Sequence, residues 1–517
     1  MECLKFWVSN CINTHSQCLR ESSGESALPT RVLDLGSNPE KGPIRLTETN
    51  GQLKGRYIAL SYAWGGAEFI KTKIDTYERY QKQGIALDEL PPTFQDVIEL
   101  CHTLEIRYLW IDSLCIIQDD RNDWKHESVR MADVYQNAFL TVSALFNTSP
   151  YGGLFSDAQV RCVGPVATQE TRHPYWTALE KNETIALGFP LLTRGWTFQE
   201  RMLSPRVLHF TKHEMIWDCR EATYCQCGGR YQNANTKLRR NSQTRYEFSH
   251  VVLNKSDLSW NDAFDTWDFS QLWKDIVTEY SETDFTVKSD RTVAISGIAT
   301  LIQRATKWNY LAGLWKETLV GDLCWFATSF PDPPQETRRK PTWSWFSVDG
   351  SFSWISASHD EPGLELIRIL SCGSTLSTPS PTGPVHDAFL EVEGYLAFVS
   401  NNSSELGGVL AQFWDCKAVW FDEGEAALNK YQGPFYLLPL LSTYSWTKHG
   451  LDKGFYCMRL LIVTPATNGS QDMIRIGMAF VERDDFFVEK DEIQLREQGQ
   501  SLAKFATKGN KVRARLV

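Results

Sequence analysis

Apolar and polar positions along the first half of the chain alternate in a way that predicts strands and helices in turn. Four short apolar runs predict buried strands: residues 57–62, 108–111, 139–143 and 207–210. Helical periodicity lies between the first three runs, over 93–104 and over 123–137. Strands joined by helices pair in parallel, so we expect an open α/β sheet, mainly parallel, with helices on both faces.

The pattern changes twice further along the chain. Helical periodicity across residues 269–308 predicts two or more helices, and after residue 341 short apolar runs alternate with turn residues, as in antiparallel β structure. The runs at 343–346 and 409–421 are among these predicted strands. We therefore expect four parts: an N-terminal lead-in at 1–50, an α/β domain at 51–225, a helical middle region at 226–340 and a β-rich domain at 341–517.

Composition narrows the class of protein. Apolar residues make up 42% of the 517 residues, and 19 Trp, 18 Tyr and 27 Phe are more aromatic residues than a disordered chain carries. The 53 basic and 63 acidic residues leave a net charge of −10, which argues against the basic surface that nucleic acids bind. We expect a folded protein with no nucleic-acid partner.

Cysteine usage and the N-terminal residues suggest a compartment. The 13 cysteines are odd in number and scattered, which favours reduced thiols over a disulfide framework. The first residues lack the pattern of a signal peptide, and no apolar run approaches the length of a membrane span. We therefore expect a soluble cytoplasmic protein that has no membrane partner.

Three ordered motifs carry a family resemblance. They are YIALSYAWG at 57–65, LWIDSLCIIQDD at 109–120 and RGWTFQE at 194–200. Together they closely resemble the fungal heterokaryon-incompatibility (HET) domain, and the resemblance is strong over about residues 55–220. Ala63 stands where the family often has Cys, so we give that position no catalytic role.

The resemblance to HET domains implies a function in cell death or non-self recognition, and a flavodoxin-like fold similar to that of the TIR domain. The first strand of a TIR domain ends in a Ser-Tyr-like pair, as Ser61 and Tyr62 do here. NAD-cleaving TIR domains carry a Trp followed four residues later by a catalytic Glu. Trp196 and Glu200 match that spacing, so the resemblance implies NAD as a substrate.

Glu200 is the first candidate catalytic residue. Four residues make about one helical turn, so Trp196 and Glu200 share a helix face that is otherwise largely apolar. Burying a carboxylate there costs several kcal/mol unless it is paired or functional. The structural alternative is a salt bridge to one of the arginines nearby in sequence: Arg194, Arg201 and Arg206.

Several candidate ligand-binding residues follow predicted parallel strands. Ser61, Tyr62, Trp64 and Gly65 end the first strand, and Asp112, the second candidate catalytic residue, ends the next. Open α/β sheets bind ligands at the carboxyl ends of their strands, so we expect these residues and Glu200 to converge. The alternatives are that Asp112 caps a turn and that Trp64 covers the end of the sheet.

Two further groups have mainly structural interpretations. Glu127 lies on the apolar stripe of its helix, where we expect an ion pair with an arginine such as Arg107 or Arg194. Cys11, His15 and Cys18 share a helical face and could bind Zn²⁺, with Cys219, Cys225 or Cys227 completing the site. The spacing of these last three is not standard for zinc, so we expect ordinary buried thiols and less than one zinc per chain.

Three functional hypotheses follow. The first is a TIR-like NAD glycohydrolase of regulated cell death, with NAD as substrate and no resident cofactor or metal. The second is a non-catalytic signalling module that acts by assembly with copies of itself or with a partner protein. The third is a HET-like scaffold recruited as a biosynthetic enzyme. The sequence contains no P-loop, no dinucleotide-binding glycine motif, no zinc-protease motif and no hydrolase nucleophile motif.

Overall fold

A computed structural model of the chain describes seventeen stretches of residues. They are 2–19, 26–36, 42–155, 189–212, 214–226, 237–253, 262–330, 341–354, 364–377, 380–413, 416–431, 433–446, 454–466, 471–483, 486–489, 492–495 and 512–517.

The described residues contain twelve α-helices. They are α1 (Glu2–Thr14), α2 (Ser16–Leu19), α3 (Ile74–Lys82), α4 (Pro92–Thr103), α5 (Asp112–Cys115), α6 (Arg121–Asn137), α7 (Gly195–Leu203), α8 (Lys237–Phe248), α9 (Asp262–Ser281), α10 (Asp290–Thr306), α11 (Leu319–Asp322) and α12 (Leu406–Phe413). Short 3-10 turns cover Leu87–Glu89, Pro190–Thr193, Lys316–Thr318, Trp345–Ser347, Ser403–Glu405 and Glu425–Lys430, and a π-helical turn covers Ser249–Leu253. None of the described helices is both long enough and apolar enough to cross a membrane.

The same residues contain twenty-five strands. They are β1 (Ser26–Ala27), β2 (Arg31–Asp34), β3 (Arg45–Glu48), β4 (Lys54–Gly55), β5 (Tyr57–Ser61), β6 (Tyr108–Trp110), β7 (Leu140–Ser143), β8 (Arg206–Phe210), β9 (Met215–Cys219), β10 (Thr223–Cys225), β11 (Tyr310–Leu311), β12 (Leu314–Trp315), β13 (Trp325–Ala327), β14 (Phe352–Trp354), β15 (Leu364–Glu365), β16 (Arg368–Leu376), β17 (Val385–Gly394), β18 (Ala397–Ser400), β19 (Cys416–Phe421), β20 (Phe435–Trp446), β21 (Gly454–Pro465), β22 (Met473–Arg483), β23 (Phe486–Glu489), β24 (Glu492–Leu495) and β25 (Val512–Leu516).

The chain divides into two compact units. The first unit holds Met1–Ser259 and Thr283–Ala305, and the second holds Trp260–Glu282 and Thr306–Val517. The two long helices of the expected middle region fall in different units, α9 in the second and α10 almost wholly in the first.

The first unit is built on an eight-stranded sheet with the order β10-β9-β8-β7-β5-β6-β2-β3. All four strands expected from the apolar runs are present as β5, β6, β7 and β8, and they pair in parallel. Every residue of β5, β7 and β8 is buried, which suits parallel strands covered on both faces.

The expectation of a mainly parallel sheet is wrong at the two edges. β2, β3, β9 and β10 add antiparallel pairings on either side of the parallel centre, so the sheet is mixed. Short connections are the physical reason on one side, since four residues join β8 to β9 and three join β9 to β10. A connection this short can only turn the chain back on itself, which gives antiparallel neighbours.

The second unit is rich in β structure, as expected. Its main sheet has the order β15-β20-β21-β22-β25-β17-β16, with β18 on β20 and β19 on β22, and all these pairings except β22–β25 are antiparallel. Two expected strands differ. Residues 345–347 form a 3-10 turn, and residues 409–413 belong to α12 before β19 begins.

Candidate functional site

Backbone register brings the ends of β5 and β6 to the same level. Tyr57 pairs with Tyr108 and Ala59 with Trp110, so Ser61 and Asp112, each two residues further, lie side by side where the parallel strands end. On the other side of β5, Ser61 pairs with Ser143 at the end of β7. This edge, which we call the mouth, therefore collects polar side chains from three adjacent strands.

Asp112 is held at the mouth by two donors. The Trp64 indole donates to its Oδ2 at 2.8 Å, and the backbone amide of Ser113 donates to its Oδ1 at 2.6 Å. The Tyr62 hydroxyl donates to Ser113 Oγ at 2.8 Å and also lies beside the carboxylate. Burial raises the pKa of Asp112, whereas Trp64, Tyr62, Arg194 and the Ser113 amide act to lower it. Asp112 thus both caps a turn and binds Trp64.

Gly65 allows the chain to turn away from the end of β5. Its φ is +65°, a conformation that favours glycine. A Cβ at this position would lie 2.6 Å from the carbonyl oxygen of Thr148. The turn therefore requires glycine, and its backbone sets the place of Trp64 over the mouth.

Glu200 lies on α7 with 7% of its surface exposed. Burial raises the pKa of Glu200 to about 7. The Ser61 hydroxyl acts to lower the pKa, the negative charge of Asp112 raises it further, and Arg194 and the Tyr135 hydroxyl act to lower it. Its Oε2 accepts no hydrogen bond from any described residue. The carboxyl group is thus buried, close to Asp112 and incompletely satisfied.

The expected alternative, an arginine salt bridge to Glu200, does not occur among the described residues. Arg194 Nη1 donates to the Tyr62 carbonyl at 2.8 Å, and Arg206 donates to the carbonyls of Phe139 and Cys18. Arg201 stacks over the Phe198 ring. Arg194 is half-buried and reaches no described carboxylate at ion-pair distance, so a guanidinium group faces the mouth without a paired anion.

Cationic and aromatic groups also surround Trp64. Lys71 Nζ lies 5.0 Å from the centre of the Trp64 ring system and 4.8 Å from that of Phe69. The Trp64 and Phe69 rings meet edge to face at 5.6 Å. Trp64 is only half-buried, so part of its surface remains open to solvent.

Trp196 lies one helical turn before Glu200 but is bound to a different neighbour. Its indole donates to Asp290 Oδ2 at 3.1 Å, at the start of α10. The side chain is half-buried. The structure therefore brings Ser61, Tyr62, Trp64 and Asp112 together with Glu200, and it places Trp196 on the α10 side of the same helix.

A narrow cavity lies just below the mouth. It is lined by Ser61, Thr141, Ser143, Leu191, Leu192, Thr197, Arg201, Val207 and His209, and it has room for about one water molecule at most. Burial lowers the pKa of His209 to about 3, with the Arg201 and Arg245 charges adding to the effect, and neither of its ring nitrogens has a described hydrogen-bond partner. The histidine is therefore neutral and offers two free nitrogen atoms.

Sequence reasoning missed His209 and Tyr135 as neighbours of this site. Both belong to elements that the hydrophobic pattern predicts, β8 and α6, and both side chains are buried. Such a residue is usually part of the core, and the pairing of β8 with β7 that brings His209 to the cavity is not visible locally. The signal that could have found His209 is its place one residue before the end of a fully buried strand.

The partner expected for Glu127 is also different. Arg31 Nη2 lies 2.5 Å from Asp123 Oδ1 and 3.6 Å from Glu127 Oε1, and the side chains of Arg31 and Glu127 are buried. Arg107 instead pairs with Asp34. The ion pair is structural, as expected, but its arginine comes from β2 and not from either arginine considered.

The fold and the mouth define a mixed α/β unit that holds one buried carboxyl group, Glu200, and one half-buried carboxyl group, Asp112, where its parallel strands end. Residues 57–200, which supply both carboxyl groups and the turn at Gly65, match the family model described as Heterokaryon incompatibility protein (HET). Residues 57–200 therefore form a heterokaryon-incompatibility domain, a kind of domain associated with heterokaryon incompatibility and cell death. No curated protein and no solved structure matches the chain.

Proposed function

We propose that the HET domain is a TIR-like effector of cell death that cleaves NAD⁺ at the bond between nicotinamide and ribose. The observation that carries the proposal is Glu200, a buried carboxyl group with an unsatisfied oxygen, a pKa raised to about 7 and no arginine partner among the described residues. A structural carboxylate would be paired, because an unpaired buried charge is costly. Buried carboxyl groups with shifted pKa values concentrate at functional sites.

The proposed chemistry is hydrolysis through an oxocarbenium-like transition state. The bond between the ribose carbon and the nicotinamide nitrogen breaks, and its electron pair leaves with nicotinamide. Ionised Glu200 binds the ribose hydroxyls and stabilises the positive charge that develops on the sugar. Water then adds to the ribose carbon and loses a proton to solvent, which gives ADP-ribose and nicotinamide.

Charged and aromatic groups at the mouth suit a dinucleotide. Arg194 can bind the pyrophosphate, because its guanidinium is half-buried and pairs with no described carboxylate. Trp64 offers a half-exposed indole for stacking on a base, and Lys71 adds a positive charge beside it. Since the cavity is much smaller than a nucleotide, binding requires residues at the mouth to move apart.

Nicotinamide release from NAD⁺ by the purified full-length chain tests the proposal. We expect release by the wild type, its loss in Glu200→Gln, and no effect of Glu99→Gln, which changes an exposed carboxylate on α4. The rate should rise with pH through about 7, because the ionised form of Glu200 is the active one. A wild type that releases no nicotinamide, both as a monomer and when assembled, would refute the proposal.

Signalling by assembly is the second candidate, and the closed mouth favours it. The two Asp112 oxygens accept hydrogen bonds from Trp64 and Ser113, and the cavity below the mouth has room for about one water molecule at most. A module that signals only through contacts between copies needs no open pocket. Concentration-dependent oligomers of a wild type that leaves NAD⁺ intact would support this function over hydrolysis.

A further inference from the structure

Three cysteines and a histidine from distant parts of the sequence meet inside the first unit. Cys11 lies on α1, His15 follows that helix, Cys18 lies on α2, and Cys219 ends β9. All four side chains are buried, and their ligand atoms lie within 4.8 Å of one another. The single helical face expected for the three N-terminal residues is wrong, because α1 ends at Thr14 and Cys18 lies on the separate helix α2. The bend between the helices still brings them together, and the fold adds Cys219 from 201 positions beyond Cys18.

We propose that Cys11, His15, Cys18 and Cys219 bind one structural zinc ion. Three cysteines and one histidine form a complete tetrahedral ligand set that is typical of structural zinc sites. With bonds of about 2.3 Å to sulfur and 2.0 Å to nitrogen, a tetrahedral zinc keeps its ligand atoms roughly 3.5–3.8 Å apart. The four atoms are close enough for small side-chain rotations to reach that geometry.

A contact between His15 and Cys219 identifies the histidine nitrogen that binds. His15 Nδ1 lies 3.3 Å from Cys219 Sγ, so this nitrogen faces the sulfur atoms. The other nitrogen, Nε2, lies 3.3 Å from Asn10 Nδ2 and 3.4 Å from the Tyr224 hydroxyl. With Nδ1 bound to the metal, Nε2 carries the proton and donates it to the Tyr224 hydroxyl oxygen. Such a second contact fixes the orientation of a metal-binding imidazole, so the ring is already held with Nδ1 toward the metal position.

A buried arginine gives independent support. The Arg206 guanidinium is 1% exposed, donates to Cys11 Sγ at 3.3 Å and to the carbonyls of Cys18 and Phe139, and reaches no described carboxylate. A buried cation without a counter-charge is costly. Zn²⁺ with three thiolates and a neutral histidine carries a net charge of −1, which would neutralise Arg206. Three neutral thiols would leave that charge uncompensated.

This proposal revises our expectation of ordinary buried thiols. That expectation depended on the spacing of Cys219, Cys225 and Cys227, and the structure uses only the first of these. Cys225 is disulfide-bonded and is not among the four clustered residues, while position 227 lies outside the described residues. The proposed site takes only Cys219 from β9, so the spacing between Cys219 and the later cysteines is no argument against zinc.

The proposed ion would fasten the N-terminal helices to the sheet. α1 and α2 precede the residues that match the HET family model, whereas β9 follows them. One zinc would thus join the two flanks of the HET domain within the first unit. Structural zinc contributes directly to folding, because the unfolded chain cannot present all four ligands together.

Metal analysis of the full-length protein, purified without chelator, tests the site. We expect about one zinc per chain in the wild type and a loss of most of it in Cys18→Ser and in Cys219→Ser. Cys101→Ser is the matched control, because Cys101 is a buried free thiol of the same unit outside the cluster, and its zinc content should equal that of the wild type.

A spectroscopic measurement keeps the test independent of variants that fail to fold. Wild type loaded with Co²⁺ in place of zinc should show the visible absorption of a tetrahedral cobalt–thiolate centre and the charge-transfer absorption of bound thiolates. The proposal is overturned if the wild type contains no zinc and takes up no cobalt with this spectrum. A disulfide among Cys11, Cys18 and Cys219 in the metal-free wild type would overturn it equally.

Discussion

Replacing Glu200 by glutamine should remove a pH dependence from the stability of the first unit. Burial and the charge of Asp112 raise the pKa of Glu200 from 4.5 to about 7 in the folded protein. Between these two values the folded state holds a proton that the unfolded state has lost. A raised pKa therefore contributes stability that is complete below pH 4.5 and is lost as the pH rises through about 7.

The size of the effect follows from the two pKa values. A rise from 4.5 to about 7 corresponds to about 3 kcal/mol of free energy of unfolding, lost between mildly acidic and neutral pH. Glutamine does not titrate and has nearly the same shape. The difference in stability between Glu200→Gln and the wild type should therefore shift in favour of the variant by about 3 kcal/mol from pH 4.5 to pH 8.

Urea unfolding at a series of pH values measures this difference, and hydrogen exchange in peptides that contain β5 assigns it to the first unit. Glu99→Gln, an exposed carboxylate-to-amide change in the same unit, is the control and should follow the wild type. Parallel stability curves for the wild type and Glu200→Gln would refute the reasoning. That result would mean that Glu200 is ionised at acidic pH in the folded protein, with a partner that stabilises its charge.

Two further substitutions test packing in each unit. Gly195→Ala should destabilise the first unit by about 1–3 kcal/mol in urea unfolding, because a Cβ there would lie 1.7 Å from a ring atom of Phe285. Gly66→Ala is the control, since a Cβ at Gly66 would have no atom within 4 Å, and it should cause no comparable loss of stability. Asp422→Asn should destabilise the second unit by about 3–5 kcal/mol, since it breaks the bidentate pair with fully buried Arg475; unchanged hydrogen exchange in β22 would contradict this.

The sequence predicts the centre of the first unit because local pattern decides it. Strands β5 to β8 are short runs whose residues are all or nearly all buried, and α4 and α6 have clear apolar stripes, so each element is visible without knowledge of its neighbours. The direction of the strands at the edges of the sheet depends on how they pair with their neighbours. β9 is as apolar as β8, and only its short connection to β8 makes it antiparallel.

In the candidate site, too, local pattern predicts some residues, whereas others depend on which strands pair. Ser61 and Asp112 each follow a strand, so the rule for strand ends is enough to bring them together. The contacts of Arg31 with Glu127 and of Cys219 with His15 join residues 96 and 204 positions apart. Those contacts depend on which strands are neighbours in the sheet, and no local pattern determines that order.

The two proposed sites lie at opposite ends of the strands of one sheet, so each site can be tested without disturbing the other. Glu200 and Asp112 belong to the carboxyl ends of the parallel strands. Cys219 pairs with Arg206 at the start of β8, so the cysteine cluster lies at the amino ends. Loss of zinc should therefore lower the stability of the first unit without changing the pKa of Glu200, whereas Glu200→Gln should leave the zinc content unchanged. Zinc bound in Glu200→Gln at wild-type stoichiometry would show that an inactive variant is still correctly folded, which removes misfolding as the explanation for lost NAD⁺ cleavage.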